Sequence, residues 1–169
     1  MNFDTLYLEL VDSSAMIRAL LSGITQEEAR IKPNAKSWSI LETICHLYDE
    51  EREDFRPRLA AILDRADRPW NPIDPEGWVV SRNYNTQSLD DIKEKFFTEH
   101  SRSLDWLKGL EGANWDTDYS AAFGVITAGD MFVSWVAHDN LAIRQLVELR
   151  RARLEMLTKP YKMSYAGDW

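Results

Sequence analysis

Cysteine occurs once in the chain, as Cys45, which excludes an intramolecular disulfide and points to a reducing compartment. No apolar run approaches the ~18 residues that a membrane span requires. The opening MNFDTLYLELVDSS carries acids where a secretory signal carries bases. The expectation is a cytoplasmic protein with no membrane partner. Basic residues are in the minority, 20 Lys and Arg against 28 Asp and Glu, for a net charge of −8. That sign repels a phosphate backbone, so nucleic acid is not an expected partner. The densest basic group, Arg144, Arg150, Arg151 and Arg153, falls toward the end of a predicted helix, where cations complement the helix dipole. Gly-rich phosphate loops, GxSxG and CxxC are all missing, which removes nucleotide-binding, serine-hydrolase and thioredoxin readings. Strand signals are scarce too: GWVV (77–80) and FGV (123–125) are too short to found a sheet.

Aromatic and aliphatic residues, by contrast, are plentiful. The 169 residues include seven Trp, six Tyr and six Phe in a 44% apolar chain, which suits one packed domain spanning 1–169. Four helices carry the apolar periodicity. The first runs from about Phe3 to Leu21 with Leu6, Leu10 and Ile17 inward, and Gly23 ends it. Thr25 and Glu28 form a capping box for a short turn that Pro33 closes. The second starts at Ser39, boxed with Glu42, and continues through Leu41, Ile44, Tyr48, Phe55, Leu59 and Ile62, with a kink expected at Pro57. Asp64 to Gln87 reads as a proline-punctuated loop carrying Trp70 and Trp78, folded over the bundle as a cover. The third helix follows Ser88 to about Leu110, and the fourth is capped by Thr127 with Asp130 and presents Met131, Trp135, Ala142, Leu146 and Leu149 inward. The closing KPYKMSYAGDW is expected to pack back on the domain. The fold class is all-α, a four-helix bundle with long crossover loops.

Two histidines fall on this frame. His46 has Glu42, Asp49, Glu50 and Glu53 one or two turns away, and His138 lies within the inward stripe between Trp135 and Ala142. Bundles build metal sites from such groups on facing helices. A core histidine satisfied by a hydrogen bond, beside a solvated acidic face, is the competing reading. Cys45 points about 100° away from its neighbour His46 on a helix, so it reads as buried core rather than half of a catalytic pair. His100 reads as a surface or core-edge residue. Arg52 is expected to pair with Glu9 or Asp12 of the first helix, or to meet an anionic substrate. Trp70, Trp78, Trp115 and Trp135 read as core, or as pocket walls.

The runs KSWSILETICHLYDEEREDFRPRL and FGVITAGDMFVSWVAHDNLAIRQLVELR, the WNPIDPEGW…YN loop and the closing YAGDW together resemble the DinB-like superfamily, more narrowly the DinB-2 type. The resemblance covers nearly the whole chain. It implies a four-helix bundle with a metal held by three histidines, one from the HL motif at His46 and two from an HxxxH on the fourth helix. His138 matches the first of those two and Ala142 occupies the second, so the family's ligand set is incomplete here and metal is expected to be weakly bound or absent, with water and substrate completing a two-histidine site where no other side chain does. Glu50, Asp49 and Asp139 are candidate replacement ligands, with His100 a weaker one; Tyr48, Asp49, Trp135, Asp139 and Ala142 are the expected pocket. The implied activity is metal-assisted, with zinc or nickel activating a low-molecular-weight thiol for transfer to a small-molecule substrate, or water for hydrolysis. The alternative is a non-catalytic bundle that has lost its metal and binds a small molecule, a partner or a second copy as a homodimer.

Overall fold

Hydroxyl and amide side chains start the principal helices. A computed structural model describes residues 1–66 and 69–167. Helix α1 (Phe3–Leu21) opens with Asn2 accepting from Thr5 N, and Gly23, at φ +72°, reverses the chain after it. The short α2 (Gln26–Ala29), α3 (Ile40–Glu50) and the long α7 (Ala128–Thr158) each start in a capping box, formed by Thr25 with Glu28, Ser39 with Glu42 and Thr127 with Asp130. α6 (Leu89–Lys108) is capped by Ser88. α1 packs against α7 and α3 against α6, giving the four-helix bundle.

The kink expected at Pro57 takes the form of a wide turn upstream of it. Residues Glu51–Phe55 are π-helical and α4 (Arg56–Leu63) resumes beyond them. Proline has no N–H to donate into the preceding turn and its ring crowds the carbonyl four residues back, so the helix widens there. The extra residue in that turn buries Glu51, Asp54 and Phe55.

Three connections differ from the sequence expectation. The segment 64–87 is not all loop: α5 (Pro75–Ser81) forms within it, capped by Asp74 with Pro75 at its start, and Tyr84–Thr86 make a 3-10 turn. GWVV is therefore helical. FGV belongs to a two-stranded antiparallel hairpin, β1 (Asp118–Ala121) with β2 (Gly124–Thr127), whose register pairs Asp118 with Thr127. Stacking of Tyr119 on Trp70, 4.5 Å between ring centres, attaches that hairpin to the bundle. In the tail, Tyr161 and Tyr165 project into solvent rather than packing back; Asp168 and Trp169 lie outside the described residues. Among the described residues no helix is long and apolar enough to cross a membrane.

The core is divided. One apolar cluster holds Ile17, Leu21, Leu41, Ile44, Leu47, Phe96, Ala142 and Leu146; the other holds Leu10, Phe55, Leu59, Leu107, Phe132, Trp135 and Val136. Along each main helix the residues between the two clusters are polar and buried: Ser13 on α1, Glu50 and Glu51 at the end of α3, Glu99 and His100 on α6, Asp139 on α7. A belt of buried polar side chains thus crosses the middle of the bundle.

Candidate metal centre

His46 and His138 meet in this belt. Their Nε2 atoms face one another at 3.1 Å, across 92 positions of sequence. Glu50, one turn after His46, places Oε1 3.9 Å from His46 Nδ1, and one donor atom from each of His46, Glu50 and His138 lies within 4.8 Å of the others. Aromatic rings wall the cluster. Trp38 meets His46 edge-on at 4.8 Å between centres, and Phe55 lies 5.0 Å from His138.

Burial sets the protonation of the pair. It pushes His46 down to about 3, with His138 beside it adding to the effect, and pushes His138 down to about 4. Both imidazoles are neutral at neutral pH, the form that binds metal. Glu50 is raised, by burial first and then by the neighbouring Asp54 carboxylate. His46 Nδ1 and Glu50 Oε1 are buried without a hydrogen-bond partner, which is costly for groups shut off from water. Two Nε2 atoms at 3.1 Å are closer than twice the ~2.1 Å metal–imidazole length, so one ion can reach both. Neutral nitrogen donors with a carboxylate oxygen suit zinc or nickel, and the three residues fit a divalent cation.

The other residues considered from sequence lie elsewhere. Asp49 belongs to a neighbouring ion network: it accepts from Tyr84 Oη at 2.6 Å and Arg82 at 2.6 Å, and pairs with Arg52 at 3.1 Å. It is therefore not placed as a ligand, and Arg52 pairs with Asp49 and Glu53 rather than with Glu9 or Asp12. Asp139 turns to Ser13 Oγ at 2.6 Å. His100 is neither at the surface nor at a core edge. It is 1% exposed, with Nδ1 3.0 Å from Glu51 and Nε2 3.0 Å from the Leu10 carbonyl, so both its nitrogens are engaged away from the cluster. Trp135 stacks on Phe55, Tyr48 lies under Arg52, and Ala142 packs in the apolar cluster with Leu146. Cys45 is buried, its thiol pushed up to about 12 by burial, and near the Tyr84 carbonyl. Of the basic group, Arg150 donates to the Leu20 and Ser22 carbonyls at the end of α1, Arg153 pairs with Glu28, and Arg144 lies 3.6 Å from Glu148.

Sequence reasoning missed Trp38 as a wall, and Ser13, Glu51 and Glu99 as buried polar residues. The WSI start did carry Trp38, but nothing local says that its ring folds over His46. The wide turn at 51–55, which rotates Glu51 inward, leaves no signal beyond Pro57.

The chain belongs to the DinB superfamily: that family's model matches residues 9–146. Among solved structures, YfiT from Bacillus subtilis, described as a probable metal-dependent hydrolase with an unusual four-helix bundle topology, superposes with a TM-score of 0.77. The match covers 88% of this chain and 86% of that one at 17% identity, a likeness of fold. Among curated proteins none matches the chain significantly.

Proposed function

We propose that His46, His138 and Glu50 hold one divalent cation, zinc or nickel, and that the chain is a metal-dependent hydrolase or thiol S-transferase acting on a small electrophilic substrate. The observation that carries this reading is the 3.1 Å approach of two neutral imidazoles, His46 buried and His138 partly so, beside a buried carboxylate oxygen with no hydrogen-bond partner. Glu50 supplies the third donor where Ala142 stands in the family's pattern. A bound cation would lower the pKa of a water or thiol and so supply the nucleophile. Trp38 and Phe55 cover part of the cluster, and the lower local polarity strengthens the charge interactions beneath them. YfiT, similar in fold, is described as a probable metal-dependent hydrolase, and that agrees with the class.

Metal analysis of protein purified without a His-tag tests the reading. Metal retained by the wild type and lost from His46→Ala supports it. Wild-type protein that takes up no metal after exposure to zinc, nickel or manganese overturns it.

A second reading rests on Ala142, packed among Leu146 and other apolar side chains. It is a bundle without metal that binds a small molecule, a partner or a second copy of itself. The same measurement separates the two.

A further inference from the structure

Glu50 is not held by the histidines. Its Oε1 stands 3.9 Å from His46 Nδ1, too far for a hydrogen bond, and the residue is 4% exposed. Asp54, one turn further along the same helical stretch, is buried as well, and after burial itself its charge is what raises Glu50 most. Two buried acids one turn apart repel one another when both are ionised, and a cation close by favours that state over a shared proton. Arg58, one turn further on, is that cation: Nη1 lies 2.7 Å from Asp54 Oδ1.

Arg58 is fixed in turn by the connection that follows α4. Its guanidinium lies 4.7 Å from the centre of the Trp70 ring, and Nη2 donates to the Asn71 carbonyl at 3.4 Å. Trp70 is itself stacked on Tyr119 of the hairpin. A line of contacts therefore runs from the hairpin through Trp70 and Arg58 to Asp54, one turn from Glu50.

We propose that Arg58, acting through Asp54, is a positioning residue for Glu50, holding its carboxylate at the divalent-cation site. The inference rests on the metal-centre reading above. Groups that hold a ligand without touching the ion commonly contribute 10–100-fold in affinity. An ion pair that served only the fold would leave affinity unchanged in any variant that still folds.

The test is a cycle of variants read by zinc and nickel dissociation constants from chelator competition, with thermal melting of each metal-free protein as the fold control. Arg58→Met keeps the apolar stem and removes the charge; it is expected to weaken binding about 10–100-fold. In a Glu50→Gln background the same substitution is expected to have little further effect, because its route to the ion is gone. Arg58→Lys, which keeps the charge, is expected to recover part of the loss. Wild-type affinity in a folded Arg58→Met protein overturns the inference, and so do equal losses with and without Glu50→Gln. If Arg58→Met does not fold, Asp54→Asn in the two backgrounds is read by the same criteria. A wild-type chain that binds neither ion overturns the metal-centre reading itself, a different outcome from wild-type binding that is indifferent to Arg58.

Discussion

Asp139 accepts a hydrogen bond from Ser13 Oγ at 2.6 Å, turned away from the cluster that its neighbour His138 enters. Glu50 and Glu51 divide in the same way, one toward His46 and the other toward His100. Consecutive residues on a helix point about 100° apart, so α7 and the end of α3 each serve two polar sets at once. One set has a free donor atom on His46 and on Glu50; the other is occupied by internal hydrogen bonds and ties α1, α6 and α7 together.

Ala142→His is expected to raise metal affinity by about tenfold or more, ~1.4 kcal/mol, by restoring a third imidazole one turn after His138. Chelator competition measures it. Because Ala142 is 5% exposed among apolar side chains, a larger residue will also strain the packing, so melting temperature is followed in parallel. Unchanged affinity in a folded variant would mean that position 142 faces the apolar cluster and not the ion.

The His100–Glu51 pair makes stability fall with rising pH. Burial alone would lower His100, but the Glu51 carboxylate and the Leu10 carbonyl outweigh it and hold the imidazole up at about 9, against an ordinary value of 6.5. A folded value above the unfolded one means stabilisation that is complete below 6.5 and is lost as pH rises through about 9. The amount is at most about 3 kcal/mol. Urea melts between pH 6 and pH 10 should show the decline in wild type and a flatter profile in His100→Gln. Asp139, raised by burial, acts in the same sense at lower pH; His100 holds it down, so Asp139 moves up in His100→Gln and the difference toward pH 9 is the part that reports His100.

Tyr84→Phe is expected to destabilise the protein by about 1–2 kcal/mol. The phenol donates to buried Asp49, which keeps Arg82 and Arg52 as partners, so the loss is one hydrogen bond rather than an abandoned charge. Metal affinity should not change, because Asp49 is outside the His46–His138 cluster. A large change in affinity would place Asp49 among the determinants of the metal centre.

Phe132→Ala should cost about 3–5 kcal/mol by emptying a fully buried site stacked on Trp115 and tilted against Phe3. Chemical denaturation measures it. A loss below 1 kcal/mol would show that the α1–α7 end of the bundle repacks.

Local chemistry in the sequence determined the helices. Ser39 with Glu42, Thr25 with Glu28 and Thr127 with Asp130 cap where the side-chain types say they should, and the three-and-four apolar spacing marks which face turns inward. The HL of α3 and the AHD of α7 placed His46 and His138 on inward faces, and the family resemblance paired them. Asp74 and Pro75 were equally local signals for α5, obscured by the prolines around them. Which acid joins the histidines was a different matter, because Asp49, Glu50, Glu51 and Asp139 are all one or two positions from an inward stripe. A step of one residue turns a side chain by about 100°, and the wide turn at Glu51–Phe55 alters the count after Glu50. Only the packing of α3, α6 and α7 decided that Asp49 meets Arg82, Glu51 meets His100, Asp139 meets Ser13, and Glu50 is left facing the two imidazoles. Periodicity specifies a face; the choice among neighbours on that face depends on the side chains that the other helices bring to it.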